Sequence, residues 1–433
     1  MRTARWYAIG AVVVAVAGGS LGSIPRPVGA ADISAYPARA SIRDLDIQFY
    51  QGRVERDPRS AGDYAQLAAL YLQRSRETAD SRDITRAEQY ASHSLELRTG
   101  RNAMAHGVLA SSLLAQHRFS EASTAARRLV ALDSTSVSAR ALRAETEVEL
   151  GQYEEAGQSL GSLAMYRADL TVAPRLARWQ ELHGRPEQAH RLLRMARDDA
   201  SRRHGMPKEQ LAWFHLRLGD LALRYGHLSE AERELRAGLQ VLPEDYRLLG
   251  TLARLEAVRH RWREAIGYGE QAIGHALDPA TLGIVGEAYA ATGDSSKAEE
   301  YYHTMEVVVL QQPGAFHRAW SLFLLDHDRG ISQVLGKARE ELKTRRDIYG
   351  YDLLAWALHK SGRDADAREA MAHALALGTR EAMLLYHAGM IERALGADDS
   401  ARHFLQSALT TNRHWHPSQP AQARAVLDSI EAR

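Results

Sequence analysis

Past a loop around Ser34 to Ala40, apolar positions recur at helical spacing, and the chain reads as helix after helix separated by short turns. Alanines in similar contexts stand at Ala87, Ala122, Ala156, Ala189, Ala231, Ala265, Ala298, Ala367 and Ala401, and most neighbours lie 33 to 35 residues apart. The wider gap before Ala231 holds the insertion SRRHGMPKEQ, and the gap from Ala298 to Ala367 fits two units, the first degenerate and centred near Val334. Twelve residues before the landmark, from Ala122 on, every residue is small: Ala110, Ala144, Ala177, Gly219, Ala253, Gly286, Ala355 and Gly389. Five residues before it stand His117, Gly151, Gly184, Gly226, His260, Gly293, Gly362 and Gly396. Glycine there suits a helix that ends in a left-handed residue before the chain reverses.

These offsets describe a hairpin of two closely packed antiparallel helices. Small residues sit where the backbones approach, and apolar ridges flank them. One such hairpin cannot bury its apolar face alone, so successive hairpins must stack. The pattern resembles the tetratricopeptide repeat family, most completely over HLRLGDLALRYGHLSEAERELRAGLQVLPED at 215–245, and the resemblance covers about nine-tenths of the chain past its leader. It implies an all-α fold: a right-handed superhelical solenoid of antiparallel helix pairs, about nine to ten repeats, ended by a C-terminal capping helix. The organisation expected is a signal peptide over 1–31, a linker and N-terminal capping helix over 32–58, the solenoid over 59–416 and the capping helix over 417–433. The first repeat departs from the pattern, its turn replaced by RSRETADSRDIT, which is expected as a polar surface loop.

Composition narrows the function classes. With 55 Lys and Arg against 54 Asp and Glu there is no cationic footprint for nucleic acid. The absence of cysteine removes disulfides, thiolate metal sites and cysteine nucleophiles together. Arg2 and Arg5, the apolar run from Trp6 to Leu21 and the small residues Gly29, Ala30 and Ala31 have the three-part layout of a secretory signal. The expected location is therefore periplasmic or secreted. If the segment stays uncleaved it anchors the chain to the inner membrane, its one expected membrane contact.

Chemistry-bearing motifs are scarce. The two G-x-S-x-G strings place Ser20 in the leader and Ser159 inside a helix, not on the strand-to-helix turn a nucleophile needs. No phosphate-cradling loop or H-E-x-x-H occurs, and neither an enzyme nor a cofactor is expected. His414 and His416 form a weak metal candidate in the break before the last helix.

The family resemblance implies that the first helix of each pair lines a concave surface where partners lie. Helical spacing then turns Tyr349, Asp352, Trp356 and His359 inward, followed by Met383, Tyr386, His387, Met390 and Arg393. The degenerate repeat offers Phe316, Trp320 and Phe323. Earlier repeats turn inward a charged set: Glu145, Glu149, Arg178, Glu181, Arg217, Asp220, Arg224, Arg254 and Glu287. Aromatic and methionine anchors suit docking at the C-terminal third; the alternatives are that these large residues seal the capping end, or that the charged central groove makes the contact. The expected function is a monomeric, non-catalytic scaffold that binds a protein or peptide segment in this groove. The alternative is a small-ligand or metal carrier using the histidine- and aromatic-rich C-terminal repeats.

Overall fold

A computed structural model describes residues 39–78, 80–311 and 318–432. The leader, with the proposed signal segment, and Phe316 lie outside the described residues. Two compact units are formed, the first ending at Thr146 and the second running from Glu147 to Arg433.

The first unit holds α1 (Arg39–Arg56), the pair α2 (Ala61–Thr78) and α3 (Ser81–Leu97), and the pair α4 (Ala103–Ala115) and α5 (Phe119–Leu132). Helix α6 (Val137–Glu149) passes from the first unit to the second. The second begins with α7 (Tyr153–Gly161), then α8 (Ala173–Leu182) with α9 (Pro186–Arg202), α10 (Lys208–Arg224) with α11 (Leu228–Val241), and α12 (Tyr246–Val258) with α13 (Trp262–His275). It continues with α14 (Pro279–Ala291) and α15 (Ser295–Leu310), α16 (Arg318–Asp326) and α17 (Ile331–Glu341), and α18 (Ile348–Lys360) and α19 (Asp364–Ala374). The pair α20 (Ala382–Ala394) and α21 (Asp398–Thr411) and the single α22 (Gln419–Glu431) complete it. The chain is thus the all-helical repeat array that the landmarks imply, with no strand among the described residues.

The landmarks have the physical roles assigned to them. The landmark alanines are all buried, as are the small residues of the first helices. A Cβ at Gly219 would lie 2.7 Å from the Leu235 side chain, one at Gly286 2.4 Å from Tyr302, and one at Gly389 2.6 Å from Leu405. At these places the helices approach so closely that a Cβ would force the facing side chain to shift. Each turn closes in one way: the turn residue has positive φ, and the next N–H reaches back five residues, as Gln152 N does to Glu147 O (2.9 Å) and Arg363 N to Leu358 O (2.9 Å). His117 and His260 take the same left-handed conformation (φ 58° for both) and the same bond, so they serve as turn residues.

Two local expectations change. RSRETADSRDIT is not a loop, because α2 runs on to Thr78 and α3 starts at Ser81. Its charges pair internally: Arg74 grips buried Asp83 (2.5 and 2.8 Å), and Asp80 caps α3 by accepting from Arg82 N. Helix extension satisfies these groups better than a loop would. In the degenerate repeat, Val334 is buried as a landmark should be, but the turn moves to Asp328, one residue earlier than the frame requires, and Gly330 adds a second left-handed residue.

Candidate functional site

Along the second unit the first helices of successive pairs (α10, α12, α14, α16, α18 and α20) pack side by side and form the inner layer. The charged inner face of α8 meets the inner face of α18, where Arg178 lies against Tyr349.

The charged group is a connected network. Glu181 pairs with Arg178 (3.3 Å), Arg217 (3.9 Å) and Arg224 (2.6 Å), and Asp220 pairs with Arg217 (3.5 Å), Arg224 (2.7 Å) and Arg254 (2.5 Å). Burial works against the Asp220 carboxylate, but Arg224, Arg254 and Arg217 outweigh it and hold its pKa well below the usual range. For Arg217 the charged form is the one disfavoured: burial, with the neighbouring Arg224, lowers its pKa. The network then crosses to the later repeats. The Arg178 guanidinium lies over the Tyr349 ring (5.0 Å to the centroid), and Arg318 lies over the same ring (5.1 Å). The Tyr349 hydroxyl donates to Glu381 (2.9 Å), Arg318 pairs with Asp352, and Asp352 accepts from His387 Nδ1 (2.7 Å). Burial pushes the Tyr349 pKa up, so the phenol stays neutral and keeps its proton for Glu381.

The edges of these repeats also meet, in one register. Arg346 N donates to Leu150 O (3.1 Å), Ile348 N donates to the Tyr153 hydroxyl (2.9 Å), and Arg345 Nε donates to Glu149 O (3.2 Å). One repeat further on, Gly184 lies against Gly378 and Arg380. At the next, Asn412 Nδ2 donates to Leu223 O and Arg224 O (3.0 Å each), beside Gly226. The turns after α6, α8 and α10 thus sit on the segments leading to α18, α20 and α22. The second unit closes on itself.

The aromatic stripe lies where the helical wheel puts it but is enclosed. Trp356 is 3% exposed, Tyr386 2%, and His387 and Asp352 0%, and Phe323 is buried as well. Trp356 stacks on His387 (4.2 Å, 14° between planes) and donates to Asp326 (3.0 Å), while Tyr386 donates to Gln422 (2.6 Å). Trp320 and Met390 are half-buried against the same core, with Trp320 stacked on Phe323 (5.3 Å). Met383 is half-buried, His359 is bonded to Asp364 (2.6 Å), and Arg393 is paired with Asp398 (2.5 Å). His414 is exposed, His416 Nδ1 accepts from Ser418 N (3.2 Å), and no cluster of three metal-ligating side chains occurs among the described residues.

An open cleft of about 280 Å³ lies instead between the C-terminal half of α10 and the first turns of α12 and α14. Arg217, Asp220, Arg247, Thr251, Arg254 and Thr281 supply its polar lining, and Tyr246 and Ile284 its apolar surface. Gly250 makes it possible, since a Cβ there would lie 2.5 Å from Thr281 Oγ1. The charged set marks one wall in the sequence. Arg247 and Thr281 stand in the first turns of their helices, where helical period does not mark them, and Arg318 and Glu381 complete the network.

No protein-family model matches the chain, and no curated protein matches it. Solved structures with a similar helix arrangement include PilW, described as a widely conserved type IV pilus biogenesis factor (18% identity, TM-score 0.40, covering 52% of this chain and 99% of that one). A tetratricopeptide repeat protein from Parabacteroides merdae aligns at 14% identity and a TM-score of 0.36, covering 65% and 99% of the two chains. A human IFIT1 dimer with PPP-AAAA aligns at 14% and 0.44, covering 86% and 94%. At these values the likeness carries no functional weight.

Proposed function

We propose that this helical-repeat protein is a non-catalytic interaction scaffold acting outside the cytoplasm, and that it holds a protein or peptide segment in the cleft between α10, α12 and α14. The observation that carries this reading is the contrast between the two inner surfaces. The aromatic stripe spends its side chains on the core of the later repeats, whereas the charged side keeps an open cleft with paired hydrogen-bonding groups and an apolar edge. Such a mix fixes orientation through polar groups and supplies contact through apolar ones. Export is supported by the leader's basic, apolar and small-residue layout, and no described helix is long and apolar enough to cross a membrane.

Ala280 lines the cleft and is exposed, so a photo-crosslinking residue there disturbs no core contact. In the native envelope fraction it should capture a discrete protein that the same residue at exposed Ala372 does not. Arg247→Glu, which reverses one cleft charge, should abolish that capture. Equal capture from both positions, or capture indifferent to Arg247→Glu, overturns the reading.

A further inference from the structure

The closure of residues 147–433 is made of different material from the repeats themselves. Within the repeats, apolar clusters join consecutive helices: Leu218 and Leu221 pack with Ala177, Ala189 and Leu193, and Leu235 packs with Leu248, Leu252 and Leu255. Across the closure the contacts are polar. They include the backbone bond from Arg346 to Leu150, the Arg345 guanidinium on Glu149 O, the Tyr153 and Asn412 side chains on main-chain groups, and the Arg178 guanidinium over the Tyr349 ring. A cavity of about 380 Å³, lined in part by Tyr225, His227, Arg380 and Thr411, lies between the facing edges. Polar contacts bordering a cavity cost little to exchange for water, unlike the burial that holds each hairpin together.

We propose that this closure is a reversible latch, opened by local separation of the two edges while the helix pairs stay folded. Tyr349 is the internal occupant of the concave face: it lies against both Arg178 and Arg318, in the place an incoming side chain would have to take. Opening frees Arg178, Glu181 and Arg224 for an external partner. In the closed state, access is confined to what the α10–α14 cleft admits. The latch does not depend on which partner uses that cleft.

Native-state hydrogen exchange on the unmodified protein tests this directly. Arg346 and Ile348 N–H are bonded across the closure, whereas Ala355 N–H lies within α18. A latch that opens locally lets the first two exchange at least about tenfold faster than the third. Tyr153→Phe, which keeps the ring and removes the acceptor, should speed Ile348 exchange further and leave Ala355 unchanged. Exchange of all three amides at one common rate would mean that the closure parts only on global unfolding. That result overturns the proposal, as does an Ile348 rate unaffected by Tyr153→Phe.

Discussion

Replacing Gly184 by alanine separates two reasons for a glycine at that position. Gly184 and Gly396 occupy equivalent turns and have nearly the same left-handed backbone, φ 66° and 73°. An alanine at either place pays the same local penalty, about 1–2 kcal/mol. Their surroundings differ. Around Gly396 nothing lies within 4 Å of the added Cβ, while at Gly184 it would stand 2.3 Å from Gly378 O and 3.1 Å from Arg380 Cγ. The backbone oxygen cannot rotate away, so the facing edge must move, and overpacking of this kind adds about 1–3 kcal/mol. Gly184→Ala should therefore cost about 2–5 kcal/mol and Gly396→Ala about 1–2 kcal/mol. Repeat arrays depart from two-state unfolding, so the comparison uses the midpoint of the first helicity loss in urea, measured for both variants under one set of conditions. Gly151→Ala, whose Cβ would lie 2.2 Å from Arg346 O, should behave like Gly184→Ala. Equal costs at Gly184 and Gly396 would refute the argument, because the turn alone would then account for the glycine.

Trp356→Ala removes a side chain 3% exposed and stacked on His387, so it should cost about 3–5 kcal/mol and lower the melting temperature. Combined with Tyr386→Ala it should unravel the C-terminal repeats, and a double variant of unchanged stability would show that these rings are not core. The Glu287 carboxyl is pushed up to about 7 by burial and by Asp326, so the folded state binds its proton more tightly than the unfolded state does. Its ordinary value is 4.5, so stability is highest below that pH and falls as pH rises through 7. Glu287→Gln should therefore stabilise the protein by about 1–3 kcal/mol at pH 8 and change little at pH 4. Denaturant titrations at the two pH values check this, and an equal effect at both would contradict the sign.

The repeat frame was legible because each landmark answers to its neighbours. Gly226 ends α10 in a left-handed turn and Ala231 packs beneath Gly219, all within one hairpin, so local spacing encodes them. The inward direction of Arg178, Asp220, Tyr349 and Trp356 follows equally from helical period. Exposure did not follow, because it depends on what stands opposite. Tyr349 and Arg178 are 171 positions apart in the sequence (349 minus 178), and nothing in a 34-residue period says that they meet. The second reason for Gly151, Gly184 and Gly226 was hidden in the same way: their turn role was sufficient to explain them. Helical period does not mark Glu381, which stands at the N-cap of α20 outside the helical wheel, nor Arg318, where the degenerate repeat blurs the register.

Self-closure of residues 147–433 underlies both the enclosed concave face and the latch, and one distance measurement tests it. The chain has no cysteine, so spin labels at Glu187→Cys and Ala376→Cys, both exposed and on opposite sides of the Gly184–Gly378 contact, would be its only labels. A short, narrow distance distribution that dominates in dilute solution is the predicted result. A broad distribution centred at long distance would contradict self-closure, since the repeats would then form an open array whose concave face is free along its whole length.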